Sequence, residues 1–339
     1  MDVTSDGSRA GSARAHMLQS GRDFEIHGSD TILEAALHAG LSVNYGCSTG
    51  NCGLCRARIV SGETVPVHPY DYHFTDAEKS AGYVLMCCHA PASDLVVDAN
   101  EARRPEDIPH QTIPTKVRTV SALTDKVTLL QVQTPRSNQL RFMAGQWVHV
   151  SIGEADGEYP VASCPCDGNR LEFHVRNIPD DPFAEKVFAG MRTGETVEVN
   201  GPFGDFVLNE DSTRPILFLA CNSGFAQVAS LIQHAMALEQ SDPIHLYWLA
   251  THPSGTGHYR ANQCRSWADA LDTFRYTELV KPSVTEANVH DAFEEIARTY
   301  PDLSGYDAYI AGPYSFLSAG KAWLLAHGMA ADHISGVRA

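Results

Sequence analysis

No run of the 339-residue sequence approaches the ~20 consecutive apolar residues that span a bilayer, which excludes a membrane-spanning helix. Residues 1–16 lack the apolar centre of a secretory signal; rich in Ser, Gly and Arg, they read as a flexible tail, and the chain is expected in the cytoplasm. Basic residues are scarce. Against 41 Asp and Glu stand 25 Lys and Arg, a formal charge of −16 that would repel a nucleic-acid backbone and excludes binding by phosphate neutralisation. The same field suits a basic protein partner, or simply keeps the chain soluble. The 16 histidines include no H-E-x-x-H pattern, and Asn222-Ser223-Gly224 is not a G-x-S-x-G elbow. Neither a catalytic metal nor hydrolase chemistry is indicated, no catalytic side chain stands out, and no internal repeat is present.

What the chain does have is length for two or three cores, an average 43% of hydrophobic residues, and nine cysteines without an export signal. Such cysteines point to metal or redox chemistry rather than to disulfides. Three domains are expected. Over 17–100, short strands at 24–27, 56–60 and 95–98 surround one helix over 31–40, whose Ile32, Ala35, Ala36 and Ala39 share a face and which Thr31 or Asp30 caps. Three prolines among charged residues over 101–114 place the linker at 101–112. From 113 to 211, strands at 126–132, 147–152, 171–175 and 196–199 broken by Gly and Pro fit a small β-barrel. From 212 to 339, strands at 215–220, 244–250, 274–280 and 307–311 alternate with helical segments, as in a doubly wound parallel sheet.

The sharpest signal is Tyr45-Gly46-Cys47-Ser48-Thr49-Gly50-Asn51-Cys52-Gly53-Leu54-Cys55, with Cys87 and Cys88 much further on. Its C-x4-C-x2-C spacing plus a distant cysteine is the plant-type 2Fe-2S arrangement. Gly46, Gly50 and Gly53 would let the backbone close on the cluster and aim N–H groups at the sulfurs, stabilising an added electron. A four-cysteine zinc site is the alternative, but zinc sites usually pair their cysteines in two C-x2-C knuckles, whereas this loop offers three ligands in one stretch. On spacing alone Cys87 and Cys88 compete for the fourth position, the other being a small buried hydrophobe. Cys164-Pro165-Cys166 offers too few ligands for a metal and poor disulfide geometry, so packing is its expected role.

The sequence resembles fused 2Fe-2S ferredoxin plus ferredoxin-NADP-reductase-like proteins, of the CDP-deoxyhexose reductase and ring-oxygenase reductase types. The likeness covers nearly everything after Met17. It is carried by 45–55, by 82–88 with Ser93-Asp94-Leu95, by Ala144-Gly145-Gln146-Trp147, by 171–176, by Gly201-Pro202-Phe203-Gly204 and by 215–224. It implies a β-grasp ferredoxin module, an FAD-type barrel and an NAD(P)-type nucleotide domain, and it favours Cys87 as the fourth ligand beside Cys47, Cys52 and Cys55. In that family NAD(P)H gives hydride to FAD, which passes single electrons to the cluster and on to an acceptor.

The reductase half departs from the pattern where cofactors would touch. The flavin motif R-x-Y-S reads Gly157-Glu158-Tyr159-Pro160, leaving Tyr159 either as an isoalloxazine contact or as a half-buried barrel aromatic. The second flavin element, a glycine turn that would receive the pyrophosphate, reads Asp180-Asp181-Pro182-Phe183-Ala184. At about 5 Å and an effective dielectric near 20, each carboxylate–phosphate repulsion costs on the order of 3 kcal/mol. The two aspartates suit a helix N-terminus instead. The nucleotide loop G-T-G-F-A-P becomes Asn222-Ser223-Gly224-Phe225-Ala226-Gln227, an arginine becomes Thr251, and C-G-P becomes Ala311-Gly312-Pro313. The C-terminal aromatic is absent from Asp332-His333-Ile334-Ser335-Gly336.

The expectation is an electron carrier with a 2Fe-2S cluster, an external reductase as donor and an oxygenase or similar redox enzyme as acceptor. Tight FAD and NAD(P)H binding is expected to be lost. The rival readings are an active NAD(P)H-dependent reductase and a structural or sensor cluster in a protein-binding subunit.

Overall fold

The computed structural model describes residues 12–136, 138–239, 243–251 and 257–339. Strand β1 (Ala13–Met17) corrects the expected tail, of which 1–11 lie outside the described residues. Its Ala15 and Met17 are fully buried, and it pairs on both sides. That pairing, invisible in a Ser- and Arg-rich segment, is what makes the strand.

The elements that follow are β2 (Asp23–Ile26), α1 (Ile32–His38), β3 (Arg56–Ser61), β4 (Thr64–Pro66), α2 (Asp76–Ser80), β5 (Tyr83–Leu85), β6 (His89–Pro91) and β7 (Leu95–Ala99). The five-stranded sheet runs β2-β1-β7-β3-β5, with β1 and β7 parallel, and β4 pairs with β6. Helix α1 starts where a capping box dictates: Thr31 Oγ1 accepts from Glu34 N at 3.2 Å while Glu34 accepts from Thr31 N at 2.9 Å. It buries Ile32, Leu33, Ala35 and Ala36 against Met17, Ile26, Leu85 and Met86. Ile32 and Leu33 each contribute about 1.5–3 kcal/mol, and the two alanines less. This is the expected α+β module.

The proline-rich 101–112 does not behave as a free linker. Val43 bridges Glu101, Ala102 N donates to Ser42 O at 2.8 Å, and Ala102 and Ile108 are buried. These contacts tie the start of the segment to the stretch just after α1, and the next sheet begins at Gln111, inside the expected linker.

Strands β8 (Gln111–Ala122), β9 (Val127–Gln133), β10 (Trp147–Ile152), β11 (Ala155–Pro160), β12 (Arg170–Arg176) and β13 (Thr196–Phe203) form an antiparallel sheet of order β11-β10-β13-β8-β9-β12. Just beyond β11, Ala162 N donates to Glu172 O of β12 at 2.8 Å, which draws the two edges together as a barrel requires. Helix α3 (Pro182–Phe188) seals it with Phe183, Ala184 and Val187.

The last sheet, β14 (Ile216–Cys221), β15 (Ile244–Ala250), β16 (Phe274–Val280), β17 (Asp307–Gly312) and β18 (Ile334–Arg338), is wholly parallel in the order β16-β15-β14-β17-β18. Helices α4 (Phe225–Leu238), α5 (Ala261–Ala270), α6 (Glu286–Thr299) and α7 (Tyr314–Ala326) connect and cover it. Every residue of β14, β15 and β17 is buried, so their sequences read as continuous apolar runs. The strand order reverses between β14 and β17, the switch point where this fold binds ligands.

The chain divides into two compact units, residues up to 107 with 136–141, and 108–135 with 142–339, the second holding both the barrel and the parallel sheet. Barrel and parallel sheet merge because polar bonds join them: Arg176 to Ser223, Ser230 to the carbonyl of Ser163, Gln233 to that of Ala162, and Arg260 to Glu172. No helix among the described residues is long and apolar enough to cross a membrane.

Candidate functional site

The loop between α1 and β3 is wound by left-handed residues, Ser48 at φ 51°, Gly50 at 80° and Gly53 at 73°. Its winding aims amides inward at sulfur. Cys47 Sγ accepts from the N–H groups of Thr49, Asn51 and Cys52 at 3.3–3.5 Å, and Cys52 Sγ from those of Cys47 and Leu54 at 3.4 and 3.5 Å. Burial resists ionisation of Cys47, but the donors from Thr49, Cys52 and Asn51 outweigh it and hold the thiol down to about 6.

The second sulfur pair is deeper. Cys55 Sγ lies 3.2 Å from Cys87 Sγ, brought by the turn after β5, and the Cys87 contact followed by burial pushes the Cys55 thiol up. Cys88 Sγ is 3.5 Å from Cys87 but stands behind the loop, where a Cβ on Gly50 would come within 2.9 Å of it. Among the described residues no three ligand-type side chains converge as a single-ion site requires. Two pairs of thiols are instead what two irons use, and the donors around Cys47 and Cys52 fit a cluster with negative charge on its sulfurs.

Tyr70 and Tyr72, missed in the sequence, hold the loop from outside. A Cβ on Gly53 would fall within the Tyr72 ring, Tyr72 N donates to Gly50 O at 3.0 Å, and Arg56 donates to Tyr72 Oη at 2.8 Å and to Glu78. The alternating aromatics Tyr70, Tyr72 and Phe74 between the third and fourth cysteines were the available signal.

At the flavin-type positions the structure brings Tyr159 and Asp181 together. Tyr159 is not half-buried: it is 6% exposed, its ring lies against Phe183, and its hydroxyl donates to Asp181 Oδ2 at 2.7 Å. Asp181 Oδ1 accepts from Ala184 N at 2.8 Å as the N-cap of α3. Burial, then the Asp181 carboxylate, pushes the Tyr159 phenol up. Pro160 closes β11 opposite Trp147, and Asp180 takes φ 63° to turn into the cap. At Gly157 a Cβ would meet the Tyr159 ring at 2.7 Å, so a longer side chain there needs Tyr159 to move.

The nucleotide-type residues also gather, at the C-terminal ends of β14 and β17. Asn222 adopts φ 51°, which Asn tolerates, and its side chain bonds Thr251: Oδ1 accepts from Thr251 N at 3.1 Å, and Nδ2 donates to Thr251 Oγ1 at 3.1 Å. Two departures from the family pattern are thus partners of each other. Trp248 Nε1 donates to Asn222 O at 3.0 Å, and Arg176 donates to Ser223 Oγ at 2.9 Å. A Cβ at Gly224 would collide with Ala311 O, and one at Gly312 would meet Cys221 Cβ at 2.7 Å, so both glycines serve close packing of the loop on β17. Trp248 and Arg176 were not foreseen, because both reach the loop from distant strands.

Cys164 and Cys166 depart from expectation. The turn between β11 and β12 brings their Cα atoms to 5.0 Å and their sulfurs into a disulfide.

Residues 16–92 match the family described as 2Fe-2S iron-sulfur cluster binding domain, and residues 114–208 that described as oxidoreductase FAD-binding domain. With the fold, these define a ferredoxin module followed by a ferredoxin-reductase-like barrel and parallel-sheet domain. The CDP-6-deoxy-L-threo-D-glycero-4-hexulose-3-dehydrase reductase of Yersinia pestis is 27% identical over 313 residues, 92% of this chain and 93% of that protein. The terephthalate 1,2-dioxygenase reductase component 1 of a Comamonas species is 28% identical over 264 residues, 77% and 76% of the two chains. Among solved structures, the Amycolatopsis cytochrome P450 reductase GcoB superposes with a TM-score of 0.60 at 22% identity, covering 96% and 98%. The FAD apo form of the ferredoxin reductase in carbazole 1,9a-dioxygenase gives 0.54 at 20%, covering 98% and 99%. In domain order and fold the chain resembles the fused 2Fe-2S ferredoxin and ferredoxin-reductase-like electron-transfer proteins.

Proposed function

We propose that this chain carries single electrons through a 2Fe-2S cluster held by Cys47, Cys52, Cys55 and Cys87, from an external reductase to a partner oxygenase or other redox enzyme. Its reductase-like half binds neither FAD nor NAD(P)H tightly. When bound, the cluster supplies a one-electron couple. The chain's own part is to hold four thiolates, to aim amides at Cys47 and Cys52, and to keep water from the buried pair Cys55 and Cys87.

The second half of the proposal rests on one observation: Asp181 takes both the helix amide of Ala184 and the Tyr159 hydroxyl, two donors that a flavin phosphate and ring edge would otherwise meet. An incoming phosphate there encounters a carboxylate instead of free N–H groups. On the nucleotide side, Asn222 is tied to Thr251 and Ser223 to Arg176.

The competing reading, an active NAD(P)H-dependent reductase, draws on the FAD-binding match over 114–208 and on relatives named as reductases. Acid release of flavin from freshly purified protein separates the two. The proposal expects iron without stoichiometric FAD, and one FAD per chain sinks it. Potentiometry addresses the structural-cluster reading: a reversible one-electron couple at roughly −400 to −150 mV fits a carrier, and an irreducible cluster does not.

A further inference from the structure

Electron transfer through the cluster leaves one pair of cysteines unused. Cys164 and Cys166 are disulfide-bonded across Pro165, while none of the other seven cysteines forms a disulfide. The stabilisation a crosslink gives a fold grows with the length of the loop it closes, so one spanning a single residue adds least and is not explained as a staple. The turn itself keeps the two sulfurs adjacent. Cys164 caps the short helical turn Pro165–Asp167 with its sulfur accepting from Cys166 N at 3.2 Å, Pro165 fixes one φ, and Gly168 reverses the chain at φ 68°. A dithiol held in that way re-forms its bond readily, because each thiol sees the other at high effective concentration.

Access is one-sided. Cys164 is 2% exposed, whereas Cys166 is partly open to solvent, so an incoming thiolate reaches Cys166 and Cys164 is the leaving group. The residues just before the pair carry helix α4: Ala162 O accepts from Gln233 Nε2 at 3.0 Å, and Ser163 O accepts from Ser230 Oγ at 2.7 Å. That helix begins directly after the Asn222–Gly224 loop.

We infer that Cys164 and Cys166 form a reversible dithiol–disulfide centre, exchanging with thiols of the glutathione or protein-dithiol class, and that its closed form fixes the turn on which α4 rests. In the exchange a reductant thiolate attacks Cys166 Sγ. The S–S bond breaks, a mixed disulfide forms on Cys166, and Cys164 departs as a thiolate and takes a proton. A second reductant thiol then attacks the mixed disulfide and frees Cys166. The pair gains two electrons and two protons, and the reductant ends as its own disulfide. Nothing in this depends on whether the reductase-like half binds FAD.

The test uses the full chain purified without added thiol and equilibrated over a graded series of reduced to oxidised glutathione, with iron followed by visible absorbance. Quenching, alkylation and mass analysis of the 164–166 peptide should show no alkylation at the oxidised end, double alkylation at the reduced end, and closure again on reoxidation. Hydrogen exchange over 225–238 should be at least ~3-fold faster in the reduced form, and redox-independent in Cys166→Ser. Full alkylation without reductant, or a pair that stays closed across the series, overturns the centre. Equal exchange in both states, or a redox response that persists in Cys166→Ser, overturns the link to α4.

Discussion

Two short stretches of this chain present backbone amides, and they end in opposite conditions. At 47–55 the amides of Cys47, Thr49, Asn51, Cys52 and Leu54 point at the sulfurs of Cys47 and Cys52, the side of the loop where cluster charge would lie. At 181–184 the amide at the start of α3 points at Asp181, and Tyr159 points there too. One loop offers donors to a guest, and the other has given them to its own carboxylate. A carboxylate at the cap position can thus take up the donors of such a turn while the fold around it stays packed.

The largest effect that separates the two regions is at the cluster. Cys87→Ser should lose most of the iron and visible absorbance, whereas Cys88→Ser should keep both. Equal loss in the two variants would undo the pairing of Cys87 with Cys55.

Next is the attempt to reopen the flavin-type turn with Gly157→Arg, Pro160→Ser and Asp181→Gly together. Removing one carboxylate about 5 Å from a phosphate recovers on the order of 3 kcal/mol, so FAD affinity by fluorescence quenching should rise at least ~10²-fold. No gain in a folded triple variant would show that Asp181 is not what closes the site.

A third test asks what holds the reductase-like half together. Glu172 is mostly buried; burial alone would raise its carboxyl, but a hydrogen bond from His174 Nε2 at 3.0 Å, then the charge of Arg260, bring it down to about 2. Burial pushes the imidazole of His174 below its ordinary range, and its Nδ1 lies 3.2 Å from Tyr259 Oη. A carboxyl held below its ordinary 4.5 stabilises the fold above that pH and loses the contribution as pH falls from 4.5 towards 2. The loss is about 3 kcal/mol. Trp147, Trp248, Trp267 and Trp323 all lie in the second unit, so tryptophan fluorescence follows it alone. Acid unfolding by that signal should flatten over this range in Glu172→Gln, and an unchanged profile would remove the clasp from the account.

The smallest effect returns to the cluster loop. Gly53→Ala places a Cβ in left-handed backbone, costing about 1–2 kcal/mol, and displaces the Tyr72 ring. The melting point of the ferredoxin unit and its iron retention should both fall. A variant as stable as the parent would mean that Tyr72 does not clamp the loop.

The sequence makes the cluster loop legible because its geometry is local: three cysteines and three glycines in one stretch set their own conformation. The cap of α1 is narrowed by sequence to Thr31 or Asp30, and the structure selects Thr31. What escaped notice depends on distant partners. Strand β1 exists through its register with β2 and β7, and the first turns of the expected linker through Val43 and Ser42. The departures from the family pattern at 157–160 and 180–184 could be read residue by residue. That one aspartate binds both Tyr159 and Ala184 could not, since it depends on how α3 seats on β11. The disulfide was misjudged because the approach of the two sulfurs follows from the turn that Pro165 and Gly168 impose.

The most direct test of the central claim is anaerobic mixing of the iron-loaded chain with NADH or NADPH and excess added FAD, followed at the visible bands of the cluster. Those bands should persist, and should bleach only when a separate reductase is added. Bleaching within seconds by pyridine nucleotide and FAD alone would contradict the account.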